Sequence, residues 1–349
     1  MINLFNKIIT LYSMRTPKNN GRASSLKNIK KMNNTKTRKR RRCNNKPNET
    51  HYLQVSPLHK ICYYEFGNAK GEPVMVIHGG PGDYSRFENT KLFDCSKYRI
   101  IFIDQRGCGK SKPFCEIKEN TTQDLVEDIE KVRVACGLGH RKVQLFGVSW
   151  GTFLSLSYAI KYPDNVSRIV LRSVFLCTKQ EYDDVENGKF VKKMFPDIFS
   201  EYADGAKNPD KVTDEYYEKI LSGRKVDRYK YAKKVSDYEE IILSLQPNKR
   251  SLRRKLNDKD ICLSRLVAHY FQNRCFKKDI MGKIENIRHI PTTIVQGRYD
   301  AVTPAYYAYK LHKALPKSKI YFTVAGHSME DDGNWNKLCD IFGGVDDKI

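Results

Sequence analysis

The sequence contains no uninterrupted apolar run near the roughly 20 residues that a membrane-spanning helix requires, so we expect no membrane partner. None of its ten cysteines form a CxxC pair, a spacing typical of zinc sites, and no internal repeat occurs. The sequence therefore predicts no bound metal. In a chain of 349 residues, such cysteines are expected to be reduced and mostly buried thiols, as in a cytoplasmic protein.

Acidic residues are almost missing from residues 1–50, which hold fourteen Lys or Arg and a single acid, Glu49. This segment is rich in Asn and poor in periodic apolar residues, so it is predicted to be a basic, disordered tail. Its run KTRKRRR (36–42) is typical of nuclear-localisation or nucleic-acid patches, and its acid-free start is typical of transit peptides. Nuclear or organellar targeting by the tail is thus the alternative to a cytoplasmic location. Nucleic acid is expected as a partner only through the tail.

From residue 58 onward, short β-branched apolar runs alternate with helical patterns. Examples of these runs are VMVIH (74–78), VQLFGV (143–148) and TTIVQG (292–297). Such runs are typical of strands that are covered on both faces of a parallel sheet. Their alternation with helices predicts the α/β class, with a mostly parallel, doubly wound sheet.

Residues 176–285 break this alternation. They are charged, aromatic and helical in pattern, without a convincing strand, and they separate two groups of predicted strands. We therefore predict an all-helical lid at 176–285, inserted into a core that residues 51–175 and 286–349 form together.

The segment VQLFGVSWGTFLSLSYA is predicted to be a strand, a sharp turn and a helix. Its turn carries the pattern G-x-S-x-G at Gly147, Ser149 and Gly151. The glycines allow close packing around a serine held in a strained backbone position, at the start of a helix whose dipole favours developing negative charge. Ser149 is therefore a candidate nucleophile, whereas a plain turn of small residues is the alternative.

A serine nucleophile needs a base and a carboxylate that orients the base. Asp300 follows the predicted strand TTIVQG, and His327 follows the next predicted strand, KIYFTVAG. Both lie at the carboxyl ends of strands, where open α/β sheets place their sites. The order serine, aspartate, histidine is the one that this architecture uses. Asp300 and His327 are thus the predicted partners of Ser149.

Acyl transfer also requires hydrogen-bond donors for the oxyanion. The main-chain N–H of Trp150, the residue after the serine, is one candidate. The turn HGGPG (78–82), after an early strand, supplies the other donor from Gly79 or Gly80. These three residues form the predicted oxyanion hole.

With these motifs, the sequence closely resembles the proline iminopeptidases (prolyl aminopeptidases) of the α/β-hydrolase fold, from about residue 58 to 335. The resemblance is densest in HGGPG, DQRGCGKS (104–111), GVSWGTF and GRYD. It implies an exopeptidase that removes N-terminal proline from small peptides, with Ser149, Asp300 and His327 as its triad. It implies no metal and no organic cofactor.

The resemblance also implies a lid whose carboxylates capture the substrate's free amine while aromatic residues enclose the proline ring. The segment VSDYEE resembles one acid-bearing motif and points to Glu239, with Glu240 as the alternative. The segment VAHYF resembles another, in which Phe271 matches an aromatic residue but Val267 replaces the expected acid. One amine anchor is therefore absent. Either Glu239 suffices, or another lid acid substitutes, or the substrate carries no free amine.

Three functions follow from these features. The first is a serine exopeptidase that releases N-terminal proline through an acyl-enzyme. The second is an esterase or amidase of the same fold that acts on uncharged acyl groups, as Val267 suggests. The third is a non-catalytic protein that binds nucleic acid through its tail, against which the complete triad argues. Epoxide hydrolases and dehalogenases are disfavoured because their nucleophile is an aspartate, whereas this turn carries a serine.

Overall fold

The structure, a computed structural model, describes Cys43 and residues 45–246, 254–276 and 280–343. The basic run at 36–42 lies outside the described residues, as does most of the predicted tail. No helix in the described part of the chain is long and apolar enough to cross a membrane. The strands are β1 Glu49–Gln54, β2 Lys60–Gly67, β3 Glu72–Ile77, β4 Tyr98–Asp104, β5 Val143–Val148, β6 Val166–Arg172, β7 Thr292–Gly297 and β8 Ser318–Thr323.

The eight strands form one sheet in the order β1-β2-β4-β3-β5-β6-β7-β8. The β1–β2 and β2–β4 pairs are antiparallel, and every later neighbour pair is parallel. The predicted mostly parallel α/β sheet is therefore confirmed, and the antiparallel strands β1 and β2 extend it at one edge. Central strands such as β5 are buried on both faces, which explains their continuous apolar sequence.

Helices cover the sheet and connect its parallel strands. They are α1 Thr122–Ala135, α2 Trp150–Lys161, α3 Lys179–Val185, α4 Val191–Met194, α5 Pro196–Ala203, α6 Val212–Ser222, α7 Lys225–Leu243, α8 Asp258–Gln272, α9 Ala305–Ala314 and α10 Asp332–Phe342. Short 3-10 turns occur at Phe87–Leu92, Pro163–Asn165, Pro209–Lys211, Arg274–Phe276 and Met281–Ile287. Helix α1 begins directly after Thr121, whose side chain forms a reciprocal capping box with Asp124.

The described part of residues 176–285 contains helices and 3-10 turns but no strand. Helices α5 to α8 pack around a separate apolar cluster in which Tyr202 stacks on Tyr238, with ring centroids 4.1 Å apart. Val267 and Ala268 of α8 belong to the same cluster. This helical segment therefore has apolar packing of its own, next to the sheet.

Four cysteines form disulfides, so the expectation that all ten are reduced thiols is wrong for them. The pairs are Cys43–Cys95 and Cys177–Cys275. Their partners lie 52 and 98 residues apart, a separation that no local cysteine spacing indicates. The second disulfide joins the chain just after β6 to the chain just after α8, and so ties together the two ends of the helical segment. Five of the six remaining cysteines are buried, as expected.

Candidate active site

Ser149 lies between β5 and α2, at the centre of the sheet. Its φ of 54° and ψ of −122° place a non-glycine residue in a strained conformation. A Cβ at Gly147 would meet the carbonyl of Gly151, and a Cβ at Gly151 would meet the carbonyl of Ile77. The two glycines therefore let the turn pack closely while Ser149 is held at the carboxyl edge of the sheet.

The structure brings the three predicted triad residues together. The Oγ of Ser149 lies 3.0 Å from Nε2 of His327. The Nδ1 of the same ring lies 3.0 and 3.1 Å from the two carboxylate oxygens of Asp300. Because β7 and β8 are parallel neighbours, the loops that follow them place Asp300 and His327 side by side. This chain of contacts matches the geometry by which a histidine takes a proton from a serine.

The Asp300 carboxylate is buried and accepts four hydrogen bonds besides its contact with the histidine. The donors are the main-chain N–H groups of Val302 and Thr303, the hydroxyl of Thr303 and the amide of Gln296, at distances from 2.7 to 3.2 Å. Burial favours the protonated acid, but the His327 ring and these hydrogen bonds outweigh it and lower the pKa of Asp300. The carboxylate thus stays ionised beside the ring.

The loop that carries His327 is held from two sides. The main-chain N–H groups of His327 and Ser328 both donate to the carbonyl of Leu243, at 2.8 and 2.9 Å, where α7 ends. The guanidinium of Arg172 donates to the carbonyl of His327 from the end of β6. Burial lowers the pKa of Arg172 to about 10. Arg172 was not among the predicted site residues. The sequence signal that could have identified it is its position inside the apolar run RIVLRSV (168–174).

The turn at residues 78–82 lies against Ser149. A Cβ at Gly79 would lie 3.3 Å from the main-chain oxygen of Val148 and 3.4 Å from the Cβ of Ser149, so the turn packs tightly against the serine. The Nδ1 of His78 lies 2.9 Å from the carbonyl of Gly79, and the ring's Nε2 accepts from the main-chain N–H of Gln105 at 3.1 Å. Gly79, Gly80 and Trp150 line the same cavity as Ser149. Their N–H groups therefore remain candidate donors to an oxyanion.

A cavity of about 980 Å³ opens above Ser149 and is lined by both the core and the helical segment. Glu239, Glu240 and Val267 line it. Phe271 also lines it and packs near three aromatic rings, those of Phe175, Tyr182 and Tyr217, at centroid distances from 5.7 to 6.1 Å. The cavity therefore combines an apolar aromatic wall with carboxylates.

The residues directly before Phe271, His269 and Tyr270, do not line the cavity. The His269 ring lies 2.9 Å from the carbonyl of Asn120, and the Tyr270 hydroxyl donates to the side chain of Asn120 at 2.6 Å. These contacts fasten α8 to the loop before α1. Burial lowers the pKa of His269. We therefore assign the two side chains to anchoring α8.

Several acids that line the cavity were not found from the sequence, and two of these, Glu181 and Glu186, lie in or directly after α3. Glu181 accepts from the main-chain N–H groups of Leu176 and Thr178, and its burial raises its pKa to about 8. The hydroxyl of Tyr217 donates to Glu186 at 3.0 Å. The one sequence signal for Glu181 was the capping pattern in which it follows Thr178 by three residues. In the described part of the chain, no group of three or more His, Cys, Asp or Glu is arranged to hold a metal ion.

Solved structures similar to this chain share its fold at low sequence identity. An esterase from Exiguobacterium antarcticum superposes with a TM-score of 0.59 at 20% identity, covering 84% of this chain and 98% of that one. A proline iminopeptidase-related protein from Thermus thermophilus gives a TM-score of 0.51 at 17% identity, covering 83% and 91%. These likenesses establish the fold alone.

Other known proteins are more similar to this chain in sequence. Residues 72–333 match the family described as alpha/beta hydrolase fold. The chain is 38% identical over 296 residues to the proline iminopeptidase of Neisseria gonorrhoeae, covering 82% of this chain and 92% of the relative. It is 37% identical over 292 residues to that of Arabidopsis thaliana, covering 80% and 75%. The chain therefore belongs to the proline iminopeptidase family of α/β-hydrolases.

Proposed function

We propose that this protein is a serine exopeptidase that releases N-terminal proline from peptides, with Ser149, His327 and Asp300 as its triad. The observation that carries the proposal is the 3.0 Å contact between the Ser149 hydroxyl and a histidine whose other nitrogen faces Asp300. Because the chain belongs to a family of proline iminopeptidases, prolyl peptides are the substrate class that this site is proposed to take.

In the proposed acylation step, His327 takes the proton of Ser149 as its oxygen attacks the prolyl carbonyl carbon. The carbonyl π electrons move to oxygen, and the N–H groups of Trp150 and of Gly79 or Gly80 stabilise that charge. The carbon–nitrogen bond then breaks, and His327 gives its proton to the departing nitrogen. A water molecule, deprotonated by His327, then attacks the ester carbon. The bond from that carbon to Ser149 Oγ breaks, His327 returns the proton to this oxygen, and proline is released.

Substrate binding is proposed to use the two sides of the cavity. Phe271 and the rings around it offer an apolar surface for the five-membered ring of proline. Glu239 offers a carboxylate for the free amine, since ionised acids pair with ammonium groups.

In the proposed domain organisation, the helical segment at 176–285 is a lid over a core that residues 51–175 and 286–349 form together. Residues 1–50 remain a proposed basic tail.

The test compares turnover of a proline arylamide by the wild-type protein and by Ser149→Ala. We expect wild-type activity and a loss of at least about a thousandfold in the variant. Ser167→Ala, at an exposed serine of β6, is the matched control and should retain full activity. Equal turnover by wild-type protein and Ser149→Ala would rule out the assigned nucleophile.

The second candidate function is an esterase or amidase, which the valine at position 267 in the cavity favours. Proline arylamide and its N-acetyl derivative separate the two functions. An aminopeptidase requires the free amine, whereas an esterase or amidase of uncharged acyl groups accepts the N-acetyl derivative. Preference for the N-acetyl derivative would favour the second function.

A cytoplasmic location stays a prediction. This prediction rested on the expectation that the cysteines are reduced. The two disulfides favour an oxidising compartment instead. Cell fractionation, combined with alkylation of free thiols before lysis, tests both the compartment and the redox state. Recovery of the protein in the cytoplasm with Cys177 and Cys275 alkylated would support the original prediction.

A further inference from the structure

Two carboxylates from different parts of the helical segment line the cavity near one another. Glu186 directly follows α3, and Glu239 lies in the last turns of α7. Each side chain is partly exposed, and both line the cavity that also contains Ser149. The two segments are in direct contact, because the hydroxyl of Tyr238, the residue before Glu239, donates to the main-chain carbonyl of Val185, the residue before Glu186, at 3.3 Å.

No cation accompanies this pair in the described part of the chain. Neither carboxylate forms an ion pair with a Lys, Arg or His side chain there. The one hydrogen bond to the pair is donated by the Tyr217 hydroxyl to Glu186. Besides Glu239, the charge of Asp214 acts on Glu186. The tyrosines around the pair stay neutral, because burial raises the pKa of each of them, namely Tyr182, Tyr202, Tyr217 and Tyr238. Lys and Arg side chains also line the cavity, but in the described part of the chain none of them forms an ion pair with Glu186 or Glu239.

Such a pair is unfavourable when both groups are ionised and nothing binds between them. Burial, and then the charge of Glu239, raises the pKa of Glu186 to about 8. Burial raises the pKa of Glu239 to about 7. Near neutral pH the empty site therefore retains protons, and a bound cation would replace them.

We propose that Glu186 and Glu239 together bind the N-terminal ammonium of the substrate, with Glu186 supplying the carboxylate that Val267 does not provide. This inference rests on the proposed function. A protonated N-terminal proline carries two N–H bonds, because its nitrogen is bonded to two ring carbons. Two carboxylates match these two donors, one each, whereas a primary ammonium leaves a third donor unmatched. The pair therefore favours proline over other N-terminal residues.

Glu181 does not take this role. One of its oxygens already accepts two main-chain N–H groups at the start of α3, and the side chain is only 1% exposed. Its other oxygen has no hydrogen-bond partner but is buried. Glu186 also keeps one carboxylate oxygen without a hydrogen bond from the described residues, and its side chain is partly exposed and open to the cavity. Of these two acids, Glu186 is therefore the one available to a ligand.

The test measures kcat and KM of Glu186→Gln with proline arylamide. We expect KM to rise on the order of tenfold to a hundredfold, with a much smaller change in kcat, because the substituted side chain keeps its shape but loses its charge. Glu218→Gln is the matched control, since Glu218 is an exposed acid of α6. For a cyclopentanecarbonyl ester, which lacks the amine, KM and kcat should be the same with Glu186→Gln as with the wild-type protein.

The outcomes separate this inference from the proposed function. If the wild-type protein does not cleave proline arylamide, the proposed function itself is wrong. If the wild-type protein cleaves it and Glu186→Gln has an unchanged KM, the role of Glu186 is overturned while the proposed function stands. The rate at which a fluorophosphonate labels Ser149 shows whether the variant's active site is folded. Equal labelling combined with a raised KM supports the inference.

Discussion

The indole N–H of Trp150 donates a hydrogen bond to the side-chain oxygen of Gln105 at 3.0 Å. The amide nitrogen of the same glutamine donates to the carbonyl of His78 at 3.0 Å. Gln105 thus joins the turn that carries Ser149 to the turn that carries Gly79. These two turns are the proposed sources of the oxyanion donors, so the Gln105 side chain helps to fix their relative position.

We therefore predict that Gln105→Leu lowers kcat roughly tenfold to a hundredfold, since misplaced oxyanion donors stabilise the transition state less. KM should change little, because Gln105 is fully buried and does not line the cavity. Steady-state kinetics with proline arylamide measure both constants. Gln123→Leu, at an exposed position of α1, is the control. A raised KM with unchanged kcat would contradict this positioning role.

The close approach of α2 to β3 predicts a strong effect on stability. A Cβ at Gly151 would overlap the main-chain carbonyls of Ile77 and His78, neither of which can move without distorting β3. We expect Gly151→Ala to lose about 3 kcal/mol or more in its free energy of unfolding. Gly139→Ala is the matched control, because a Cβ there meets nothing within 4 Å. Urea unfolding of the two variants checks the difference.

The three side chains that the structure brings together, those of Ser149, Asp300 and His327, could be predicted from the sequence because each lies in a local pattern. Ser149 is identified by glycines two positions away, and Asp300 and His327 by the strands that precede them. The parallel register of β7 and β8, with Gly297 opposite Thr323, then brings the acid and the base together. Periodicity locates these strands and the loops that follow them, whereas the pairing of β7 with β8 comes from the structure.

The cavity acids were only partly predictable, for a physical reason. Helical periodicity indicates which face of a helix is buried but not which two helices meet. Glu186 and Glu239 are 53 residues apart on different elements, and only the packing of the helical segment places both at the cavity. The disulfides were missed for the same reason, since Cys177 meets Cys275 through the fold and not through spacing.

The raised pKa values of Glu186 and Glu239 predict a pH-dependent stability that does not require any substrate. A carboxyl whose pKa is higher in the folded state binds more protons there, so its contribution to stability is lost as pH rises from about 4.5 to about 8. The melting temperature of wild-type protein should therefore fall over this range by several degrees relative to Glu186→Gln. Glu218→Gln, as control, should follow the wild-type curve. Parallel curves for wild-type protein and Glu186→Gln would show that Glu186 is not destabilised by ionisation.

The Cys177–Cys275 disulfide closes a loop of about 100 residues around the helical segment. In the chain-entropy account, a crosslink of this span stabilises the folded state by about 4–5 kcal/mol, so the double variant Cys177→Ser/Cys275→Ser should unfold at clearly lower urea concentration. Dithiothreitol should lower the stability of the wild-type protein more than that of the double variant, which retains only Cys43–Cys95. Peptide mapping without reduction provides the direct measurement. Two results would contradict the crosslink: alkylated Cys177 and Cys275 in the peptide map, and an equal effect of dithiothreitol on the stability of the wild-type protein and the double variant. The helical segment would then be held by packing alone.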